Sequence, residues 1–293
     1  MINFVVPRTS YQGVIKSFII PILPFLEKYQ ISDKAYDGCV NVIFFTEDSL
    51  FKKFNAEKGK GINVFITHGI ADKNWRNANS TDKFDYVFIT GSLWLKKLVS
   101  QGMDANKIFI GGYTRLDDLH IQKKTYKKQI DNSKKTILFA PTHNSSVTSY
   151  NKMEHLIPLL EEKYNVLISS HPHNNNSKFT TTEFLEADVV VGDFGSSMYE
   201  AWSFGKPSVL PSWIVKNDIF LKYKDSFEEK IYMECIGYHS ENENHFFDQI
   251  DSAICNGITE SEVEFIDGIF SKKLRGNSGY ETAIYLKKIM KNL

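Results

Sequence analysis

The sequence predicts an α/β protein whose doubly wound parallel sheets are divided between two lobes. Three observations lead there. Short, near-continuous apolar runs alternate with helix-compatible segments, as strands buried on both faces and joined by helical crossovers do. That rhythm is broken by a polar, Lys-rich stretch, Gln122 to Lys135 (QKKTYKKQIDNSKK), and then restarts. The charge divides at the same place. Residues 1–130 hold 19 Lys and Arg against 12 Asp and Glu, residues 131–293 hold 16 against 23, and the 293 residues together sum to +0.

In chain order, Ile2–Val6 is the first expected strand. The apolar octet Phe18–Phe25 (FIIPILPF) follows. Interrupted by Pro21 and Pro24, it falls well short of the ~20 residues that span a bilayer, so it is expected to be buried beside the first strand. Strands are then expected at Val40–Phe45, Asn63–Thr67, Tyr86–Thr90 and Lys107–Ile110, with a helix at Ser92–Ser100 stopped by Gly102. Residues 1–122 make the first lobe, 123–135 a basic linker.

The second lobe, 136–270, has expected strands at Thr136–Ala140, Val166–Ser169, Val189–Val191 and Ser208–Leu210. Met153, Leu156, Ile157, Leu160 and Tyr164 lie at helical spacing, with Pro158 marking a first turn or a kink. Ser197-x-x-Glu200 reads as a capping box and Gly205 with Pro207 as a stop, giving a helix from Met198 to Phe204. Ser261–Leu293 reads as helix broken near Gly276 and Gly279, its last part, 271–293, packing back across both lobes.

Composition removes several function classes. With 42% hydrophobic and 24% charged residues the chain is not disordered. Cys39, Cys235 and Cys255 form neither a disulfide framework nor a zinc pattern, which suits a reducing compartment. Balanced charge argues against a dedicated nucleic-acid binder, and the amino terminus lacks the features of a signal peptide. No dinucleotide-binding glycine motif, phosphate loop, zinc-protease helix, nucleophile elbow or kinase set is present.

What remains lies at strand ends, where open α/β sheets bind ligands. His68-Gly69, Arg115 with Asp117, Thr142-His143, His171-Pro172-His173, Asp193 and Ser196-Ser197 each follow an expected strand. An imidazole such as His68 can take a proton near neutral pH, and a capped helix start after Ser197 suits a phosphate or pyrophosphate. Arg115, one of four arginines beside 31 lysines, offers a planar fork to phosphate or pairs with Asp117 or Asp118. His171 and His173 can donate to a phosphate. Nothing at suitable spacing completes a metal site around them.

These residues resemble the CDP-glycerol glycerophosphotransferases of teichoic-acid and capsule synthesis. The likeness runs from about Ile62 to Val209. Thr67-His68-Gly69 is similar to the family's His-Gly motif, Gly112 to Asp117 (GYTRLD) to its Gly-x-Pro-Arg-x-Asp, and Leu138 to Thr142 (LFAPT) to its Ala-Pro-Thr. Ser170 to His173 (SHPH) is similar to its His-Pro motif, and Ala187 to Pro207 to its Ala-Asp … Asp-Tyr-Ser-Ser … Lys-Pro block. Thr114 stands where the family has Pro, His143-Asn144 where it has Trp-Arg, and Gly195 where it has the first Ser.

The resemblance implies the GT-B fold of two facing Rossmann-like lobes, the first on the acceptor side and the second holding the nucleotide donor. It implies transfer of glycerol phosphate or a related phospho-polyol from a CDP-linked donor to a hydroxyl of an anionic polymer or lipid-linked acceptor, with release of CMP and without metal or cofactor. His68 and His171 would be catalytic. Arg115, Thr142, His173, Asp193, Ser196 and Ser197 would bind donor phosphates, with Gly69, Asp117, His143 and Glu200 completing the pocket. The expected location is cytoplasmic, with peripheral contact at the inner face of the cell membrane. A nucleotide-sugar glycosyltransferase or epimerase, and a non-catalytic GT-B binding module, are the alternatives.

Overall fold

The computed structural model describes residues 1–6, 12–46, 61–72, 78–130, 133–142, 149–169, 182–291 and 293. They fall into two compact units. Unit 1 comprises Met1–Ile70, Trp75–Ile121 and Asp267–Leu293; unit 2 comprises Ala71–Asn74 and Gln122–Ile266.

Unit 1 is built on β1 (Ile2–Val5), α1 (Gln12–Ile19), β2 (Tyr29–Ser32), β3 (Val40–Ile43), β4 (Ile62–Ile66), α2 (Ala78–Thr81), β5 (Tyr86–Ile89), α3 (Ser92–Ser100), β6 (Ile108–Ile110) and α4 (Asp117–Gln122). The strands form one sheet in the order β2-β1-β3-β4-β5-β6, with every neighbouring pair parallel. Its central strands are apolar because helices cover both faces. One polar row interrupts them: Asn3, Asn41 and Asn63 are in register on β1, β3 and β4 and fully buried. Asn3 Nδ2 donates to Asn41 Oδ1 at 2.9 Å, and Asn41 exchanges hydrogen bonds with the backbone of Tyr36 in both directions.

The apolar octet ends α1 and continues as a 3₁₀ turn at Leu23–Phe25. Phe18, Ile19 and Ile22 are buried, whereas Ile20 and Phe25 are exposed. Phe18 meets the rings of Tyr113 and Phe44 at centroid distances of 5.1 and 6.4 Å.

Unit 2 contains β7 (Thr136–Phe139), α5 (Tyr150–Met153), α6 (Ile157–Lys163), β8 (Asn165–Ile168), α7 (Glu183–Glu186), β9 (Val189–Val191), α8 (Ser196–Ser203), β10 (Ser208–Pro211), α9 (Ser212–Lys222), α10 (Phe227–Met233), β11 (Tyr238–Ser240) and α11 (Glu243–Asn256). Its sheet, also parallel throughout, has the order β11-β10-β9-β7-β8. Ile137, Phe139, Val189, Val191 and Val209 from the sheet pack with Met153, Leu156, Ile157 and Leu160 on one side of the sequence and Phe246, Ile250 and Ala253 of α11 on the other. Pro158 occupies the first turn of α6, where its missing N–H costs nothing. Residues of the Lys-rich stretch are strapped to this unit: Lys123 Nζ donates to Phe204 O at 2.6 Å, and Lys128 Nζ pairs with Asp188 at 2.8 Å.

The chain ends in α12 (Glu260–Ile269) and α13 (Ser278–Met290), separated by a 3₁₀ turn at Lys272–Leu274. Gly276, at φ +84°, lies in the expected break. Gly279 does not break the helix; it is the second residue of α13. Its lack of a side chain lets the backbone of Pro21 approach, since a Cβ there would lie 2.1 Å from Pro21 O. α13 thereby packs on the Leu23–Phe25 turn and β3 of unit 1.

Candidate active site

Strand order locates a crevice in each unit. In unit 2 the chain runs from β7 outward to β8, then returns to the other side of β7 for β9 and continues to β11. The order reverses between β7 and β9, and in open parallel sheets ligands bind beyond the carboxyl ends at such a reversal. Ala140–Thr142 leaves β7 there, and Gly192–Ser197 leaves β9.

Asp193 joins the two ends. It is fully buried, and Oδ1 accepts from Thr142 N at 2.8 Å and Phe194 N at 2.7 Å, while Oδ2 accepts from Ser149 N and Oγ, each at 3.2 Å. Its carbonyl accepts the hydroxyl of buried Tyr232 at 2.6 Å. Burial, with Asp193 and Glu228 nearby, pushes the Tyr232 phenol well above its ordinary pKa, so it stays protonated as that donor. Asp193 was expected to bind donor phosphates. With these donors its carboxylate shapes the crevice and holds Thr142 at its edge.

α8 begins immediately afterwards, and its start differs from the expected capping box. Gly195 is the N-cap, without a side-chain cap hydrogen bond, and Ser196 and Ser197 are already helical. Ser197 Oγ donates to Ala140 O at 2.7 Å, closing α8 against the end of β7. Glu200 therefore cannot reach back as a capping partner; it lies buried in the second turn. Gly195 sits against Thr142, whose Cβ and Oγ1 would both be 3.6 Å from a Cβ placed on it. Thr142, Ser196 and Ser197 are thus brought together around an α-helix start whose N–H groups and positive dipole end favour an anion.

In unit 1 the reversal lies between β1 and β3. His68 is exposed just beyond the neighbouring β4, and its Nδ1 faces Phe44 O at the end of β3. A carbonyl oxygen can only accept, so Nδ1 carries a proton, and in the neutral ring Nε2 is then the acceptor. Thr67 fixes the turn by donating its hydroxyl to Gly69 O and accepting from Gly69 N. Sequence reading singled out His68 and Gly69 but had no signal for Phe44, whose carbonyl sets the tautomer.

Arg115 is half-buried in a 3₁₀ turn after β6, two strands from β4. Thr114, standing at the family's Pro position, is buried and donates to Phe18 O at 2.7 Å. Asp117, expected in the pocket, is buried, and its Oδ2 accepts Gly279 N at 2.6 Å, capping α13. His143, His171 and His173 lie outside the described residues. Among the described residues no group of three or more His, Cys, Asp or Glu could hold a metal ion, and no helix is long and apolar enough to cross a membrane.

Two parallel sheets with these strand orders define a GT-B fold, which solved structures share at low identity. The wall teichoic acid polymerase TagF matches with a TM-score of 0.66 at 15% identity, over 100% of this chain and 89% of that one. A putative UDP-N-acetylglucosamine 2-epimerase from Listeria monocytogenes matches with a TM-score of 0.57 at 12% identity, over 100% and 97%. UDP-GlcNAc 2-epimerase from Neisseria meningitidis bound to UDP-GlcNAc gives 0.56 at 12%, over 98% and 100%. No curated protein matches the chain.

Within that fold the lineage is specific. The family model for CDP-glycerol:poly(glycerophosphate) glycerophosphotransferase matches residues 50–253, and the chain belongs to that family of transferases.

Proposed function

We propose that the protein transfers glycerol phosphate, or a related phospho-polyol, from a CDP-linked donor to a hydroxyl of a cell-surface polymer or lipid-linked acceptor, releasing CMP. The observation that supports this best is the His68 tautomer: with Nδ1–H on Phe44 O, Nε2 is the basic nitrogen of the neutral ring on an exposed residue. The acceptor oxygen attacks the donor's β-phosphorus and its proton passes to His68 Nε2. The bond from that phosphorus to the oxygen bridging the two phosphates breaks, and its electron pair leaves with CMP.

Charge on the transferring group and on CMP is met by fixed donors: the α8 start with Ser196 and Ser197, the Thr142 hydroxyl, and Arg115, with His171 and His173 assigned to the same task. No metal is needed in this reading. The basic excess of residues 1–130 suits an anionic polymer acceptor or an anionic membrane surface at the cytoplasmic face.

The test is CMP release from CDP-glycerol in the presence of acceptor and a chelator. His68→Ala should lower turnover by roughly 10²–10⁴-fold while leaving CDP affinity unchanged. Release unaffected by that substitution would remove His68 from the chemistry. Preference for a UDP-sugar over CDP-glycerol would overturn the donor assignment.

A further inference from the structure

The chain that leaves β4 through His68 does not remain in unit 1. Ile70 is its last residue there, and Ala71–Asn74 belong to unit 2. Asp72, four residues beyond His68, is fully buried and hydrogen-bonded twice to α10. Its N–H donates to Glu228 Oε1 at 2.9 Å, and its Oδ2 accepts Phe227 N at 2.9 Å, capping the first turn of that helix.

Glu228 is also fully buried, and the oxygen that accepts Asp72 N accepts the Tyr199 hydroxyl at 2.6 Å. Tyr199 belongs to α8, whose start is the candidate phosphate site. One turn along α10, Tyr232 holds the Asp193 carbonyl. A single short helix therefore grips the segment following the proposed base, the body of α8, and the loop that precedes α8. Both carboxylates are without exposure, so a surface role cannot explain them.

We infer that Glu228 and Asp72 are positioning residues for the transfer. They hold the phosphate-binding helix and the segment that follows the His68 turn on one helix of unit 2. This rests on the function proposed above. Misplacing reacting groups by about 1 Å can cost on the order of 10²-fold in rate while ground-state binding persists, so turnover is where the loss should fall.

Glu228→Ala, Glu228→Gln and Tyr199→Phe would be compared in the full chain by CMP release, CDP affinity from calorimetry, and amide hydrogen exchange of the peptide containing residues 62–72. Glu228→Ala should lower kcat roughly 10-fold or more with CDP affinity within about 3-fold, and should speed exchange at residues 67–72. Glu228→Gln keeps an acceptor oxygen for both donors and should restore most of the rate. Tyr199→Phe, which removes one donor and keeps the ring, should give an intermediate loss even if Glu228→Ala fails to fold.

Unchanged kcat and unchanged exchange in Tyr199→Phe and in any folded Glu228 variant would overturn the inference. A fall in CDP affinity that accounts for the whole activity loss would do the same. If the wild type releases no CMP, the proposed function fails, and faster exchange at residues 67–72 in the variants still decides whether the tether exists.

Discussion

Asp117 ends the GYTRLD motif, yet its carboxylate turns inward to cap α13 rather than outward to a ligand. Burial pushes its pKa up to about 6, opposed by the N–H groups of Gly279 and Ser278. A carboxyl raised in the folded state stabilises the fold below its unfolded pKa of about 3.8, and that contribution is lost as pH rises through about 6. Asp117→Asn cannot ionise but keeps an oxygen for Gly279 N. Its stability relative to wild type should therefore improve by about 2–3 kcal/mol between pH 4 and pH 7, read from urea unfolding at each pH. A difference that stays constant with pH would show that Asp117 does not titrate in this window. The motif's residue types were legible in the sequence; that one of them serves a helix 162 residues away was not, because nothing local encodes that contact.

The strands read most clearly are those buried on both faces. β1, β3, β4, β5, β7, β9 and β10 all carry near-continuous apolar runs, and each lies where the sequence places it to within about two residues. The two strands with no sequence signal, β2 and β11, are both sheet edges among the described residues, and their runs are short and mixed: YQIS and YHS. The α8 start shows a different limit. Two serines and a glutamate fit a capping box, but the glycine before them takes the N-cap, because the Ser197 hydroxyl is drawn to Ala140 O. The asparagine row is invisible to an apolar pattern altogether. Asn41→Leu would remove three hydrogen bonds, the one from the buried Asn3 amide, which keeps Lys34 O, and the two with the Tyr36 backbone, at about 0.5–1.5 kcal/mol each. Chemical denaturation should show a loss of at least about 1.5 kcal/mol; a loss below about 0.5 kcal/mol would mean that the row contributes packing alone.

For the whole molecule, the units are not consecutive in sequence. Unit 1 is completed by Asp267–Leu293. From α13, Gly279 reaches Asp117, Ser278 Oγ accepts Tyr113 N at 3.1 Å, and Thr282 donates to Gly111 O at 3.2 Å. Truncation after Ile266 should therefore unfold unit 1 while unit 2 keeps slow hydrogen exchange in β7, β9 and β10; uniform loss of protection in both units would contradict this division. The same closure gives the protein an order of maturation on the ribosome. Unit 1 lacks the last of its described helices until Met290 has been made, whereas the sheet of unit 2 has its described strands once Ser240 has emerged. The amino-terminal sheet must wait with the hydrophobic seat of α13 uncovered, and is the part most in need of chaperone cover until that helix has been made.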